Sequence, residues 1–344
     1  MKFWKKALTL ALVFVMVLST FAACGGGSNT DTPETTVQTG PTEPAEEAAV
    51  LKILTLGHSL AVDSGHMLAM IANAEGFDSL KVATLYYSGC PLDKHVRFMT
   101  ENAAEYNLYV SSTENPNTPP QIIESVTMEQ AITYDYWDII IMQGGVFEIA
   151  NPAKYQDGNI QKIQEYVNAR KLNPLATFAW HMAWAPPVTN SLRDQYPKEP
   201  NTYYSNYEKY NDDRSALYQD IAKCVNEIIV PDETFEFVIP SGTVMENALS
   251  SYLEETDLHR DYVHATDLAR VMVSYTWYCK LAGVEKLDEI KLDAIPKAMF
   301  KSTLSNEDRV LTDAEKDLIL ETVNNALANP FQMTQSQYTT APAA

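Results

Sequence analysis

A three-layer α/β/α sandwich with a central parallel sheet is the fold class this sequence predicts. Two observations carry the expectation. Short apolar runs alternate with longer stretches in which apolar residues recur at helical spacing, which is the signature of successive βαβ units. About 280 residues, 51–330, have the composition of a folded domain with no internal repeat and no second linker, which fits one large α/β domain better than two small ones.

The elements follow in order. Leu51-Lys52-Ile53-Leu54-Thr55-Leu56 reads as a strand closed by Gly57, and the amphipathic stretch Gly65 to Ala74 as the helix after it. Further strands are expected at Lys81 to Tyr86, Asp138 to Met142, Leu175 to Trp180 and Phe235 to Ile239. Helical spacing covers about Asn159 to Arg170, Ser205 to Glu227, Val244 to Leu253, Thr266 to Ala282 and Thr312 to Ala328. Right-handed crossovers then place all strands parallel, and ligands of such sheets bind at the carboxyl ends of the strands. The positions to inspect are therefore Gly57 to Leu60, Tyr87 to Cys90, Gln143 to Gly145 and the loop after Trp180.

Upstream of the domain, Lys2, Lys5 and Lys6 precede an apolar run from Ala7 to Val17 and the small residues Ala22 and Ala23, the layout of a secretory signal over 1–23. Phe21-Ala22-Ala23-Cys24 resembles a bacterial lipobox with Phe at the usual Leu position, so Cys24 is the expected lipidation site and the chain is expected outside the cytoplasm, anchored to a membrane. A plain cleaved signal is the alternative; a retained span is disfavoured because a bilayer needs roughly 20 apolar residues. Residues 24–50, rich in Gly, Ser, Thr, Pro and Glu, read as a disordered tether, and 331–344 as a disordered tail.

The formal net charge of −20 argues against nucleic acid or anionic headgroups as partners, since both require basic patches. With Cys24 assigned to the anchor, Cys90, Cys224 and Cys279 are odd in number and lack metal-type spacing, so neither a disulfide framework nor a zinc knuckle is indicated. None of the six His pairs at i, i+4, so no metal or other cofactor is expected.

Ser59 follows the first strand in Gly57-His58-Ser59-Leu60. A serine hydroxyl needs a base to become nucleophilic, and a strand-to-helix turn lifts it from the sheet edge; the same Ser would equally cap a helix. Near the other end, Asp261 and His264 stand three apart just before a long helix, a spacing in which a carboxylate can orient an imidazole. The rival pairing is Asp257 with Arg260 or His259, and the bland alternative is a helix cap by Asp261 or Thr266.

Leu51 to Leu60 and Asp261-Tyr262-Val263-His264 resemble the first and last blocks of the GDSL/SGNH hydrolases, with His58 in place of the usual Asp or Asn. The resemblance implies an SGNH-type α/β/α fold and an extracytoplasmic serine esterase with Ser59 as nucleophile, His264 as base and Asp261 as its orienter. It also implies oxyanion donors at the Ser59 backbone, at Gly89 in the second block and at the third-block position. There the family's Asn is replaced by Gln143, as in a subgroup of SGNH-like domains; a Gln packed at a strand end is the other reading. Trp180, His181 and Trp184 enter a loop with Tyr203, Tyr204 and Tyr207, an aromatic and polar mixture that suits a sugar ring as part of an ester substrate, or simply packing. His66 and His95 are expected at the surface or in packing. The second function in view is an anchored carbohydrate-binding protein that keeps the fold with little or no catalysis, and a solute-binding protein comes third.

Overall fold

Five of the strands are continuous apolar runs, and such runs are stable only where both faces of a sheet are covered. In the computed structural model, which describes residues 50–77, 79–146, 148–193, 210, 213–297 and 308–342, this is how they are used. The seven main strands are β1 (Leu51–Gly57), β2 (Leu80–Tyr86), β3 (Tyr106–Ser112), β4 (Gln121–Val126), β5 (Ile139–Met142), β6 (Thr177–His181) and β7 (Phe235–Ile239). They form one sheet in the order β4-β3-β2-β1-β5-β6-β7. The run from β2 to β7 is parallel, and β3 and β4 extend it as an antiparallel pair. A small ribbon, β8 (Ala294–Ile295) with β9 (Arg309–Val310), lies outside it.

The helices are α1 (Ser59–Gly65), α2 (Leu68–Ala74), α3 (Leu92–Glu101), α4 (Met128–Ile132), α5 (Pro152–Tyr155) and α6 (Asn159–Asn168), then α7 (Asn190–Arg193), α8 (Arg214–Cys224), α9 (Ser241–Leu249), α10 (Glu255–Leu258), α11 (Asp267–Ala282) and α12 (Asp313–Ala328). One group packs around α11, which touches α1, α2, α9 and α12; another joins α3, α4, α5 and α6. Ile53, Leu54, Ile140, Ile141 and Ala179 are fully buried between these layers. The α/β/α sandwich is therefore present, with a sheet that is mostly rather than wholly parallel.

Several expectations change. The helix expected at Gly65 begins at Ser59, because His58 supplies a side-chain cap there, and breaks at His66–Met67 into α1 and α2. The strands β3 and β4 were not expected: β3 (Tyr-Asn-Leu-Tyr-Val-Ser-Ser) is not an apolar run, and β4 (Gln-Ile-Ile-Glu-Ser-Val) is the outer edge, with Gln121, Glu124 and Ser125 exposed. Polar residues on an edge strand guard it against pairing with other chains. The signal, Cys24, the tether, the first part of the Ser205–Glu227 helix and Tyr203, Tyr204 and Tyr207 lie outside the described residues.

Residues 331–342 correct the expectation of a disordered tail. Thr334 N–H donates to Asn247 Oδ1 at 2.7 Å, Ser336 N–H to Ser250 Oγ at 2.9 Å, and Tyr252 N–H to Tyr338 O at 2.9 Å. Asn247, on α9, is fully buried and also donates to Thr322 O of α12 at 3.2 Å. Composition misled here because the segment is held by polar pairing with α9 and α12 rather than by apolar burial. Deleting 331–344 would leave the Asn247 acceptor unpaired, at a cost of about 1–3 kcal/mol. A lowering of Tm by about 2–6 °C is expected in a thermal melt; an unchanged Tm would mean that the strap contributes nothing.

Candidate functional site

Parallel register decides which residues meet. Gly57 pairs with Tyr86, Leu56 with Met142, Met142 with Trp180 and His181 with Ile239, so the carboxyl ends of β2, β1, β5, β6 and β7 are level. Ser59 follows β1, Gly89 follows β2 and Gln143 follows β5, with β1 in the middle. Neighbouring strands lie about 4.8 Å apart, so three positions far apart in sequence share one short stretch of sheet edge.

Ser59 is the first residue of α1 and is half-buried. The cap is His58, whose Nδ1 accepts Leu60 N–H at 3.4 Å while its Nε2–H donates to Gly144 O at 2.9 Å. Burial, opposed by the bond to Gly144, lowers the His58 pKa to about 4, so the ring is neutral and in one tautomer at pH 7. An imidazole thus performs the capping that a carboxylate or amide would perform. Glycine is required before it: a Cβ at Gly57 would stand 2.5 Å from Gln143 Nε2.

Gln143 therefore lies across the end of β1. Its Oε1 accepts His181 Nδ1–H at 2.8 Å, which fixes the amide orientation, while Nε2 has no hydrogen-bond partner among the described residues. His181 is fully buried, and burial lowers its pKa to about 3, so it is a neutral donor. An orphaned buried amide donor is expensive, roughly 1–3 kcal/mol, and here it sits beside Gly57, two residues before Ser59. Gly89 adopts a left-handed φ of 58°, which favours glycine at that turn.

The third part comes from the loop between α10 and α11. The Asp261 carboxylate accepts Val263 N–H at 2.9 Å, His264 N–H at 2.8 Å and His264 Nδ1–H at 2.8 Å. Burial opposes ionisation, but these bonds prevail and hold the Asp261 pKa at about 2. With Nδ1 donating, His264 Nε2 is left as a proton acceptor, and the side chain is 21% exposed. The loop is fastened to α1: Ala265 N–H donates to Asp63 Oδ2 at 2.9 Å, and Arg260 Nη1 reaches the two Asp63 oxygens at 3.1 and 3.2 Å. On another side, Trp184 Nε1–H donates to Val263 O at 2.8 Å. His264 is thereby held against the helix that Ser59 begins, although no hydrogen bond joins Ser59 and His264 among the described residues.

The rivals of that pair have other tasks. Asp257 accepts Glu254 N–H at 2.8 Å as part of a capping box, and His259 is buried against Glu255 O at 3.1 Å. Trp180, His181 and Trp184 correct the expected substrate rim: their exposures are 1%, 1% and 0%, so they stand behind the site. Trp180 packs between Tyr155 and Phe235, each 5.5 Å away. His95 pairs with Tyr106 Oη at 2.8 Å, and His66 lies 5.8 Å from the Tyr109 ring. Cys90 is buried, which pushes its thiol up to about 12 and makes it a poor nucleophile. Among the described residues no group of His, Cys, Asp and Glu could hold a metal ion.

Sequence reasoning missed Asp63 and Arg270, and it considered Arg260 as a partner of Asp257, whereas Arg260 pairs with Asp63. The available signal was a lone carboxylate in the apolar stretch Leu60-Ala61-Val62-Asp63, together with two arginines flanking His264.

Four fully buried histidines bear on stability. Burial lowers His58 to about 4 and His95, His181 and His259 to about 3, against an unfolded value of 6.5. As pH falls below about 6.5, the unfolded chain takes up protons that the folded chain refuses, so stability is present above that pH and lost below it. Glu246 and Asp138, both raised by burial, act in the opposite sense but are two groups against four. Each histidine contributes a slope of up to about 1.4 kcal/mol per pH unit, so Tm is expected to hold from pH 8 to 7 and fall steeply between pH 6 and 4. A flat profile in calorimetry would refute the neutral-core assignment.

No curated protein matches this chain. The crystal structure of a DUF4886 family protein from Bacteroides uniformis ATCC 8492 is similar, with TM-score 0.67 and 19% identity over 83% of this chain and 98% of that one. An acetyl xylan esterase, AlAXEase, aligns with TM-score 0.36 and 12% identity over 67% of this chain and 99% of that one. Of these two, the Bacteroides structure carries the likeness in fold. The profile of the family described as a domain of unknown function, DUF4886, matches residues 52–298, and the chain belongs to that family.

Proposed function

We propose that this protein is a serine esterase that cleaves an acyl or acetyl ester, with a carbohydrate as a fitting alcohol component. The observation that carries the reading is the Asp261–His264 pair, preformed at 2.8 Å and tied through Ala265 to the helix that starts at Ser59. In this reading His264 Nε2 takes the Ser59 proton as Oγ attacks the ester carbonyl, and Asp261 supports the imidazolium that forms. The negative oxygen is received by Gln143 Nε2–H with the backbone N–H groups of Ser59 and Gly89. Collapse expels the alcohol with the proton from His264; water then hydrolyses the acyl-Ser59 ester by the same route.

Two features favour Gln143 as an electrophilic donor: its Nε2 is orphaned, and His181 fixes its orientation. The missing Ser59–His264 hydrogen bond favours the second reading, an anchored carbohydrate-binding protein with the same fold and little turnover. Catalytic hydrogen bonds often tighten only when substrate is bound, so this observation weighs less than the preformed pair.

With p-nitrophenyl acetate and acetylated glycans, Ser59→Ala should abolish turnover and Asp261→Asn should lower kcat by about 10⁴. Gln143→Leu should lower kcat by about 10² to 10³. Equal, slow turnover by wild type and Ser59→Ala would end the esterase reading, and absence of stoichiometric Ser59 labelling by a fluorophosphonate would favour the binding protein.

The signal-like start and Cys24 further suggest a lipid-anchored, extracytoplasmic protein. Cys24→Ser should move the chain from the membrane fraction to the soluble fraction in a bacterial host; unchanged fractionation would dismiss the anchor.

A further inference from the structure

Asp63 has no part in the chemistry outlined above, yet it is 1% exposed and carries more polar contacts than the catalytic candidates. It stands four residues after Ser59, one turn along α1 and on the same face, a rise of about 6 Å. Its Oδ2 accepts the N–H of Ala265, the neighbour of His264, at 2.9 Å. Both oxygens take Arg260 Nη1, from the neighbour of Asp261, at 3.1 and 3.2 Å. Arg270, on the first turn of α11, adds Nε at 3.0 Å and Nη2 at 2.8 Å. One carboxylate on the nucleophile's helix therefore grips the residues on both outer flanks of the Asp261–His264 pair, about 200 positions away in sequence. Arg260 Nη1 also donates to Ala265 O, closing the loop's base against the same point.

From this geometry we infer that Asp63 is a positioning residue that sets the separation between Ser59 and His264, an inference that rests on the esterase reading. Other bonds shape the loop as well: Arg260 N–H meets His264 O at 2.9 Å, the Asp261 carboxylate takes the Val263 and His264 N–H groups, Thr266 N–H meets Leu258 O at 2.9 Å and Trp184 Nε1–H meets Val263 O at 2.8 Å, but none of these joins the loop to α1. A displacement of about 1 Å between reacting groups can cost 10² in rate. A further bond, Ser274 Oγ–H to Ser64 O at 2.7 Å, fixes α11 to the end of α1 but does not reach the loop. An ion pair serving stability alone would have no need to contact the residues next to Asp261 and His264.

The test uses the full chain carrying Asp63→Ala, compared with wild type and Ser59→Ala. Its folded state is checked by circular dichroism, and rates are expressed per folded molecule. The expected result is a kcat at least 10² lower with KM within about twofold, and amide hydrogen exchange at Val263 to Ala265 at least tenfold faster while β1 and β2 amides keep their protection. A kcat within threefold of wild type, or unchanged exchange at Ala265, overturns the inference. Should Asp63→Ala fail to fold, Arg260→Gln, whose side chain is 23% exposed, carries the test with the same direction in both readouts. If wild type and Ser59→Ala hydrolyse equally, the esterase reading fails by itself, and the exchange result still decides whether Asp63 holds the loop.

Discussion

A carboxylate buried among two guanidiniums and a backbone amide is the constraint on which the arrangement of this site depends. Asp63 loses its hydration on burial, yet Arg270 and Arg260 hold its pKa below the ordinary carboxylate value. Such a cluster is weak evidence for net stability, because desolvation offsets most of the Coulomb attraction, but breaking it by removing one partner is costly, typically about 3–5 kcal/mol. What it supplies is a defined geometry. The Asp63 carboxylate meets Arg260 and Ala265 of the 259–265 loop and Arg270 of α11 together, which ties the segment carrying Asp261 and His264 to α1.

The same economy of polar groups governs the sheet edge. His58, Gln143 and His181 are buried, and hydrogen bonds orient them: His58 to Gly144 O and Leu60 N–H, and Gln143 Oε1 to His181. Burial keeps both imidazoles neutral, so each ring has one donor and one acceptor nitrogen, and the protein's contacts choose which. Against this fixed background Gln143 Nε2, beside Gly57, has no hydrogen-bond partner among the described residues. Its neighbour across β1 is the Gly89 turn, and the loop after β5 is pressed onto the loop after β2, since a Cβ at Gly145 would stand 2.7 Å from Pro91 Cα.

Several large side chains that resemble substrate contacts in sequence turn out to be structural. Trp184 donates its indole N–H to Val263 of the 259–265 loop, and Trp180 fills the layer between Tyr155 and Phe235. An aromatic residue at a strand end can face outward to a ligand or backward to the core, and local sequence does not distinguish these directions.

The sequence by itself determined the layered architecture, the parallel strands and the spacing of Asp261 and His264. Apolar runs such as Leu51 to Leu56 and Ile139 to Met142 are readable because burial on both faces demands an unbroken run. The antiparallel pair β3 and β4 and the strap at 331–342 were not readable, because their stability comes from partners elsewhere in the chain: β2 for the former, Asn247 and Ser250 for the latter. Tertiary structure alone decided that Trp180 and His181 face inward, that His58 caps α1, and that Asp63 reaches Arg260, Ala265 and Arg270. Periodicity records which side of an element is apolar, whereas the partner of a buried charge is set by how distant elements close on one another.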